Sequence, residues 1–397
     1  MQERASVPAI RFAGFADDWK QRMVQELAER FDNLRIPVAA NLRKAGSTPY
    51  YGANGIQDYV DGFTHEGEFI LVAEDGASDL KNYPVQYVSG RIWVNNHAHV
   101  LQGKSGLADN HFLKFAISQA DIESLLVGGS RAKLNAEILM AIILLVPSKP
   151  EQHIIGEFLD YLDSLITLYQ HKYTQLCNIK KSMLEKMFPK GGADLPEIRF
   201  AGFTGTWEQR KIGDFIRVLS ASRVHKDEWQ TDGVPFYRSS DVVSAFKGSD
   251  NEKAFISMEL YEELVKSSGK LEKGDILITG GGSIGIPYIV PNDKPLYSKD
   301  ADLIWVKKSS EHNSEYLYAY FTSQSFRAYI SGISHVGTIA HYTIEQVKDT
   351  PVQLPTMAEQ RAIGAFFSNL DNLIALHQRK LERLQNIKKA CMERMFV

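Results

Sequence analysis

The chain repeats itself at two different spacings, and this limits the possible folds more than any motif does. Residues 8–15 read Pro-Ala-Ile-Arg-Phe-Ala-Gly-Phe and residues 196–203 read Pro-Glu-Ile-Arg-Phe-Ala-Gly-Phe, 188 positions later. Residues 151–188 match residues 359–396 at 20 of 38 positions without a gap, at a spacing of 208. Two copies of one unit therefore fill the 397 residues, and the difference between the spacings makes the middle of the second copy 20 residues longer. The middles, roughly 20–130 and 208–335, show no evident identity. A repeat read before any motif implies one frame carrying two unlike inserts.

The conserved ends predict long helices. Ser148-Lys149-Pro150-Glu151 and Thr356-Met357-Ala358-Glu359 fit a capping box, in which the hydroxyl accepts from the third helical N–H and the Glu carboxylate reaches back. From each start, apolar or bulky residues recur at alternating steps of four and three. The first seam is Ile155, Leu159, Leu162, Ile166, Tyr169, Tyr173 and Leu176, and the second is Ile363, Phe367, Leu370, Ile374, His377, Leu381 and Leu384. Lys180 and Lys388 interrupt the two seams at the same place. A helix over 149–188 is about 60 Å long at ~1.5 Å per residue, longer than one small domain needs. The expected partner of each helix is the other, antiparallel, about a pseudo-twofold axis. The alternative is that each packs alone on its own domain.

Composition narrows the function. Apolar and charged fractions of 44% and 23% suit a soluble globular protein of about two domains. Cys177 and Cys391 stand at non-equivalent repeat positions, which suggests neither a disulfide framework nor a zinc site, and a reducing cytoplasm is expected. The longest apolar run, Ile138 to Val146, is too short to span a bilayer. A net charge of −3 sits awkwardly with nucleic acid, but Lys plus Arg outnumber Asp plus Glu by 7 to 4 over residues 355–397.

The middles read as short strands and tight turns. Ile92 to Leu101 reads as a strand with a polar stretch, Asn95-Asn96-His97-Ala98-His99, open to metal ligation, structural hydrogen bonding or contact with a polar ligand. Gly280-Gly281-Gly282-Ser283-Ile284-Gly285 has the spacing of a dinucleotide fingerprint, but Pro287, Pro291 and Pro295 forbid the helix such a site requires. No phosphate-binding loop of the full form Gly-x-x-x-x-Gly-Lys-Ser/Thr and no Pro-Pro pair occurs, and no catalytic triad spacing stands out. The chain is expected to bind rather than to catalyse.

Four stretches then carry a family resemblance: Pro49-Tyr50-Tyr51-Gly52-Ala53-Asn54-Gly55-Ile56, Trp93 to Leu101, Gly274-Asp275-Ile276-Leu277 with Gly282-Ser283-Ile284-Gly285, and Leu354-Pro355 followed by Glu359-Gln360. With the duplicated order of variable part then long helix, the chain resembles the specificity subunit of type I restriction-modification systems. The resemblance implies an α/β (α+β) fold with two target-recognition domains of mixed β-sheets, joined by two long antiparallel coiled-coil helices. The expected boundaries are 1–147 for the first reader, 148–188 for its helix, 189–195 for a linker, 196–354 for the second reader and 355–397 for its helix. It further implies double-stranded DNA as ligand, each reader taking one half of an asymmetric bipartite site. Two modification (methyltransferase) subunits and restriction/translocase subunits are the implied partners, holding S-adenosylmethionine and ATP. No cofactor, metal or catalytic residue is expected on this chain.

The candidate DNA contacts are Tyr50, Asn54, Asn95, Asn96 and His97 in the first reader, and Arg238, Ser239, Ser240, Ser283, His335, Thr338 and His341 in the second. Amide and guanidinium groups can pair two-pronged with base edges, and hydroxyls suit phosphate. Two other classes compete: a self-contained DNA methyltransferase or nuclease with two pseudo-symmetric sites, and a coiled-coil scaffold with two peptide-binding domains.

Overall fold

A computed structural model describes residues 7–128, 132–299, 302–334 and 341–396. The chain divides into two compact units, Met1–Gln170 with Arg379–Val397, and His171–Gln378. The division cuts through both long helices rather than falling between the two sequence copies. Each unit thus holds one reader, the start of that reader's own helix and the end of the other copy's helix.

In the first unit the chain runs β1 (Lys20–Met23), α1 (Val24–Leu27), β2 (Ala28–Arg30), β3 (Ala45–Gly52), β4 (Gly55–Val60), β5 (His65–Ala73), β6 (Val85–Val94) and β7 (Ala98–Gly103). Then follow α2 (Asn110–Ser118), α3 (Ala136–Ala141), β8 (Ile143–Val146) and the long α4 (Lys149–Lys186). Six strands form one mixed sheet in the order β2-β7-β5-β6-β3-β4. Strand β5 sits inside it, and its Phe69-Ile70-Leu71-Val72-Ala73 run is buried throughout because both faces are covered. The expected single strand over 92–101 is instead the end of one strand and the start of another, which pair with opposite edges of β5. Strands β6 and β7 flank a turn at 95–97, where the Asn95 carboxamide oxygen accepts the His97 N–H at 2.8 Å.

The second unit begins its reader with β9 (Glu208–Lys211), β10 (Val218–Ser220), β11 (Val234–Tyr237), α5 (Ser239–Lys247), β12 (Ala254–Ile256), α6 (Met258–Ser268) and β13 (Ile276–Thr279). After these come β14 (Pro287–Ile289), β15 (Tyr297–Ser298), β16 (Leu303–Val306), α7 (Ser314–Thr322), α8 (Gln324–Ser334), α9 (Ile344–Asp349), β17 (Pro351–Leu354) and α10 (Met357–Met395). Strand β13 turns back antiparallel into β14, with no helix after the glycines, as the prolines require.

The two readers share one topology despite their unlike sequences. Strand β3 pairs parallel with the end of β6 through Tyr50↔Trp93 and Tyr51↔Val94, and β11 pairs parallel with β15 through Phe236↔Tyr297 and Tyr237↔Ser298. Strand β5 lies antiparallel between β6 and β7, and β13 likewise between β14 and β16. The long β6 of the first reader is split in the second into β14 and β15, with Pro291 and Pro295 in the gap, where a ladder donor is missing. Helices α5 and α6 stand where the first reader has only the turns β3–β4 and β4–β5, which is where its longer middle goes.

The frame is held alike in both units. Arg11 of the first octapeptide donates to both carboxylate oxygens of Glu151, at 2.6 and 2.8 Å, and Arg199 of the second does the same to Glu359, at 2.6 and 2.7 Å. Both Glu side chains are fully buried. The expected capping box is therefore half formed in the second copy, where Thr356 Oγ1 accepts the Glu359 N–H at 3.4 Å, and in both copies the Glu carboxylate turns to its arginine instead of reaching back. The next residues act alike as well. Gln152 accepts the Asp109 N–H and donates to the Pro147 carbonyl, and Gln360 accepts the Asn313 N–H and donates to the Pro355 carbonyl. Phe12 meets Phe158 edge-on, and Phe200 meets Phe366 edge-on.

None of the seam residues of α4 and α10 is exposed. In the first unit Ile155, Leu159 and Leu162 share a core with Leu384, Met392 and Met395. The contacts run antiparallel, with Asp163 meeting Lys388 and Tyr169 lying under Lys380. In the second unit Leu176, Met183, Met187 and Phe188 pack with Ile363, Phe367 and Leu370, again antiparallel, and Lys180 meets Asp371. The lysines that interrupt the seams are thus the cross-helix ion pairs.

Candidate nucleic-acid interface

The shared topology brings the same loops together at one end of each reader's sheet. In the first reader these are the β3–β4 turn, the segment after β5, the β6–β7 turn and the strand-like residues 132–134. The Leu134 N–H bonds the Glu74 carbonyl at 2.7 Å, while in the second reader the Tyr342 N–H bonds the Gly280 carbonyl at 2.8 Å. These are equivalent bonds, since 134 and 342 lie 208 apart. Residues 53–57, 75–77, 95–97 and 133 thus correspond in place to 238–241, 281–283, 299 with 302, and 341.

Side chains converge there. His97 Nδ1 bonds the Asp75 carboxylate, and Asn54 donates to the Gly76 carbonyl and accepts the Ser78 N–H, each at 2.8 Å. A cleft lined by Asn54, Gln57, Asp75, His97 and Lys133 opens between these loops. Asn96 is exposed on the turn beside it, with no hydrogen-bond partner for its side chain among the described residues. In the second reader, Ser239 Oγ and the Gly280 N–H both donate to the Asp302 carbonyl, at 3.0 and 2.8 Å. Lys299 Nζ pairs with the Asp302 carboxylate at 2.6 Å, and His341 Nδ1 lies 3.9 Å from where a Cβ on Gly281 would stand.

Four expected contacts are buried or half-buried and engaged within the fold. Tyr50 is 1% exposed, with its hydroxyl accepting the Val38 N–H at 2.9 Å and its ring stacked on Trp93, so it is a core residue and not a base reader. Asn95 is 3% exposed and closes the β6–β7 turn. Arg238 binds Asp241 through Nε at 2.9 Å and holds the start of α5, and Ser239 is committed to a backbone carbonyl. Asn54, Asn96, His97, Ser240, Ser283 and His341 are exposed at the loop end. His335 and Thr338 lie outside the described residues. Sequence reading missed Gln57, Asp75, Lys133, Lys299 and Asp302. Only Lys133 carried a signal, as the repeat mate of His341.

Next to the first cleft lie Asp32, Glu74 and His99, close enough together to suggest a cation site. Their partners argue otherwise. Arg35 donates to Glu74 at 2.6 Å, Lys133 to Glu74 at 2.7 Å, and His99 bonds Asp32 at 2.7 Å and the Leu134 carbonyl at 2.8 Å. Burial works against both carboxylates, but these bonds outweigh it and hold Asp32 and Glu74 below the usual carboxyl range. The charges balance without an ion, and the network serves to fix residues 74 and 134 to the sheet. Among the described residues no helix is long and apolar enough to cross a membrane.

The type I restriction modification DNA specificity domain family matches the chain twice, over residues 16–178 and 204–386. A putative type I restriction enzyme specificity subunit of Haemophilus influenzae is 32% identical over 361 residues, covering 90% of this chain and 88% of that protein. The MjaVIII specificity subunit of Methanocaldococcus jannaschii is 24% identical, covering 74% and 70%. In fold, the chain is similar to the crystal structure of a type I restriction-modification S subunit from M. genitalium, with a TM-score of 0.66, 15% identity, and coverage of 98% and 99%.

Proposed function

The chain belongs to the type I restriction-modification DNA specificity family, and on that premise we propose that each reader takes one half of a bipartite DNA site through the loops gathered at its sheet end. One observation carries this reading: a common topology places the same four loops together in both units, while their exposed side chains differ. Asn96 and His97 occupy the place that Lys299 and Asp302 occupy in the other reader, so the two half-sites are unlike and the whole target is asymmetric. Amides, imidazoles and carboxylates supply the donor and acceptor pairs that distinguish base edges in the major groove.

The chain itself performs no reaction. Methyl transfer from S-adenosylmethionine and ATP-driven restriction fall to two modification subunits and to restriction/translocase subunits that assemble with it. Helices α4 and α10, of 38 and 39 residues, fix the gap between half-sites. At about 57 Å each they exceed one turn of DNA, roughly 34 Å.

The test is a complex of the full chain with its modification subunits, incubated with a pool of duplexes carrying a randomised centre. Enrichment of one split, asymmetric sequence is the expected result. Enrichment of no sequence, or methyl transfer or cleavage by the isolated chain, would refute the proposal.

A further inference from the structure

Arg327 on α8 is a half-buried cation without a counter-charge. Among the described residues no carboxylate lies within ion-pair distance of it, and its one hydrogen bond is a long one, Nη1 to the Ile284 carbonyl at 3.5 Å. Burial alone acts on its acidity, pulling it below the usual guanidinium range. A guanidinium carries five N–H donors, so most of them are left without a protein acceptor, and holding such a group partly out of water is costly unless an anion arrives.

Its position suggests which anion. Ile284 belongs to the glycine-rich turn after β13, and that turn lies against α8: a Cβ on Gly285 would stand 3.2 Å from both Ile330 and Phe326. The turn is one of the four loops at the reading end of the second domain. Gly282 and Ser283 are exposed on it, and among the described residues their N–H groups and the Ser283 hydroxyl have no hydrogen-bond partner. The guanidinium, over the Phe326 ring at 5.8 Å, thus lies beside a turn that presents two free amides and a hydroxyl, and no carboxylate among the described residues neutralises it. Successive free amides beside a cation suit a tetrahedral oxyanion.

We propose that Arg327, with Ser283 and the amides of Gly282 and Ser283, grips a DNA phosphate and so sets the second reader on its half-site. The assignment rests on the DNA-reading proposal above and adds a residue that positions the duplex without reading it. Among the described residues the first reader has no counterpart, because only a 3-10 turn, Glu123–Leu125, stands between α2 and α3.

The test compares wild type with Arg327→Ala and Arg327→Gln, each in complex with the modification subunits, on the duplex enriched from the randomised pool. The charge-removing variants are expected to bind about tenfold more weakly at low salt. The slope of log affinity against log salt, measured between about 50 and 200 mM, should fall by ~0.9, and the same sequence should still be enriched. Retained enrichment of both half-sites shows that the variants are folded, and Gln keeps a donor for the Ile284 carbonyl should Ala fail to fold. An unchanged salt slope would overturn the assignment, as would a changed base preference in the second half-site, which would make Arg327 a base reader. Failure of the wild type to enrich any sequence would instead sink the DNA reading itself.

Discussion

The ammonium of Lys388 bonds the carboxylate of Asp163 across the antiparallel helices. Lys180 meets Asp371 in the same way, and the four residues are two pairs of repeat mates, each 208 positions apart. A charge inside an apolar seam fixes which turn of one helix faces which turn of the other, since a slip by one turn leaves it unpaired. Lys114 adds a second cation to Asp163, at 3.2 Å. Replacing Lys388 or Asp163 by Ala, singly and together, should give a coupling energy of about 0.5–1 kcal/mol by denaturant unfolding. A coupling indistinguishable from zero would remove the register role.

The Arg11–Glu151 pair is a stronger constraint, because the carboxylate is fully buried and bound by two donors. Arg11→Ala leaves that buried charge unpaired and should clearly lower the melting temperature of the first unit. Arg199→Ala should lower that of the second unit in the same way. Glu151→Gln, which removes the charge along with the pair, should cost much less than Arg11→Ala, as read from melting of the purified variants.

Gly156 and Gly364 are repeat mates where the long helices cross the starts of α2 and α7. A Cβ at Gly156 would lie 2.7 Å from the Phe112 nitrogen, and one at Gly364 would lie 2.7 Å from the Tyr316 nitrogen. Backbone cannot yield as a side chain can, so alanine at either position should destabilise by about 1–3 kcal/mol despite its better helix propensity. A stabilising outcome in urea titration would mean the helices do not approach this closely.

His312 gives the second unit an acid sensitivity. Burial pushes its imidazole down to about 4, while the unfolded residue keeps the ordinary value near 6.5. The unfolded chain therefore binds the extra proton first as pH falls, and stability is lost between about pH 6.5 and 4. Thermal melting of wild type should drop across that window more steeply than melting of His312→Leu. Parallel curves would show that the histidine is not held neutral.

Tyr50 and Asn96 should separate structure from reading. Tyr50→Phe removes the acceptor of the Val38 N–H and should cost about 1 kcal/mol without altering the enriched sequence. Asn96→Ala, on the exposed turn, should leave stability within about 0.5 kcal/mol and change the preferred bases in the first half-site only. A changed second half-site would contradict independent readers.

Much of the frame was legible because it depends on local pattern. Heptad spacing marked the seams, and the octapeptide marked the segment that returns to clamp each helix start. Its meaning was not legible: nothing in the sequence of Arg11 and Glu151, 140 positions apart, says that the intervening chain folds so as to bring them together. The interface was harder still. Tyr50 and Asn95 have the chemistry of base readers, yet they face inward, because a strand sends alternate side chains to opposite faces and a turn takes its own amide first. Lys133, Gln57 and Asp75 belong to unrelated stretches that only the sheet assembles.

By itself the sequence determined that there are two copies of one frame, where the long helices lie, and that the inserts differ, since periodicity and self-similarity are local properties of the chain. Tertiary structure decided that the unlike inserts share one topology, that Lys180 and Lys388 are ion pairs rather than defects in the seam, and which polar side chains remain free at the sheet end. These depend on strand register and burial, which are settled by contacts between residues far apart in sequence.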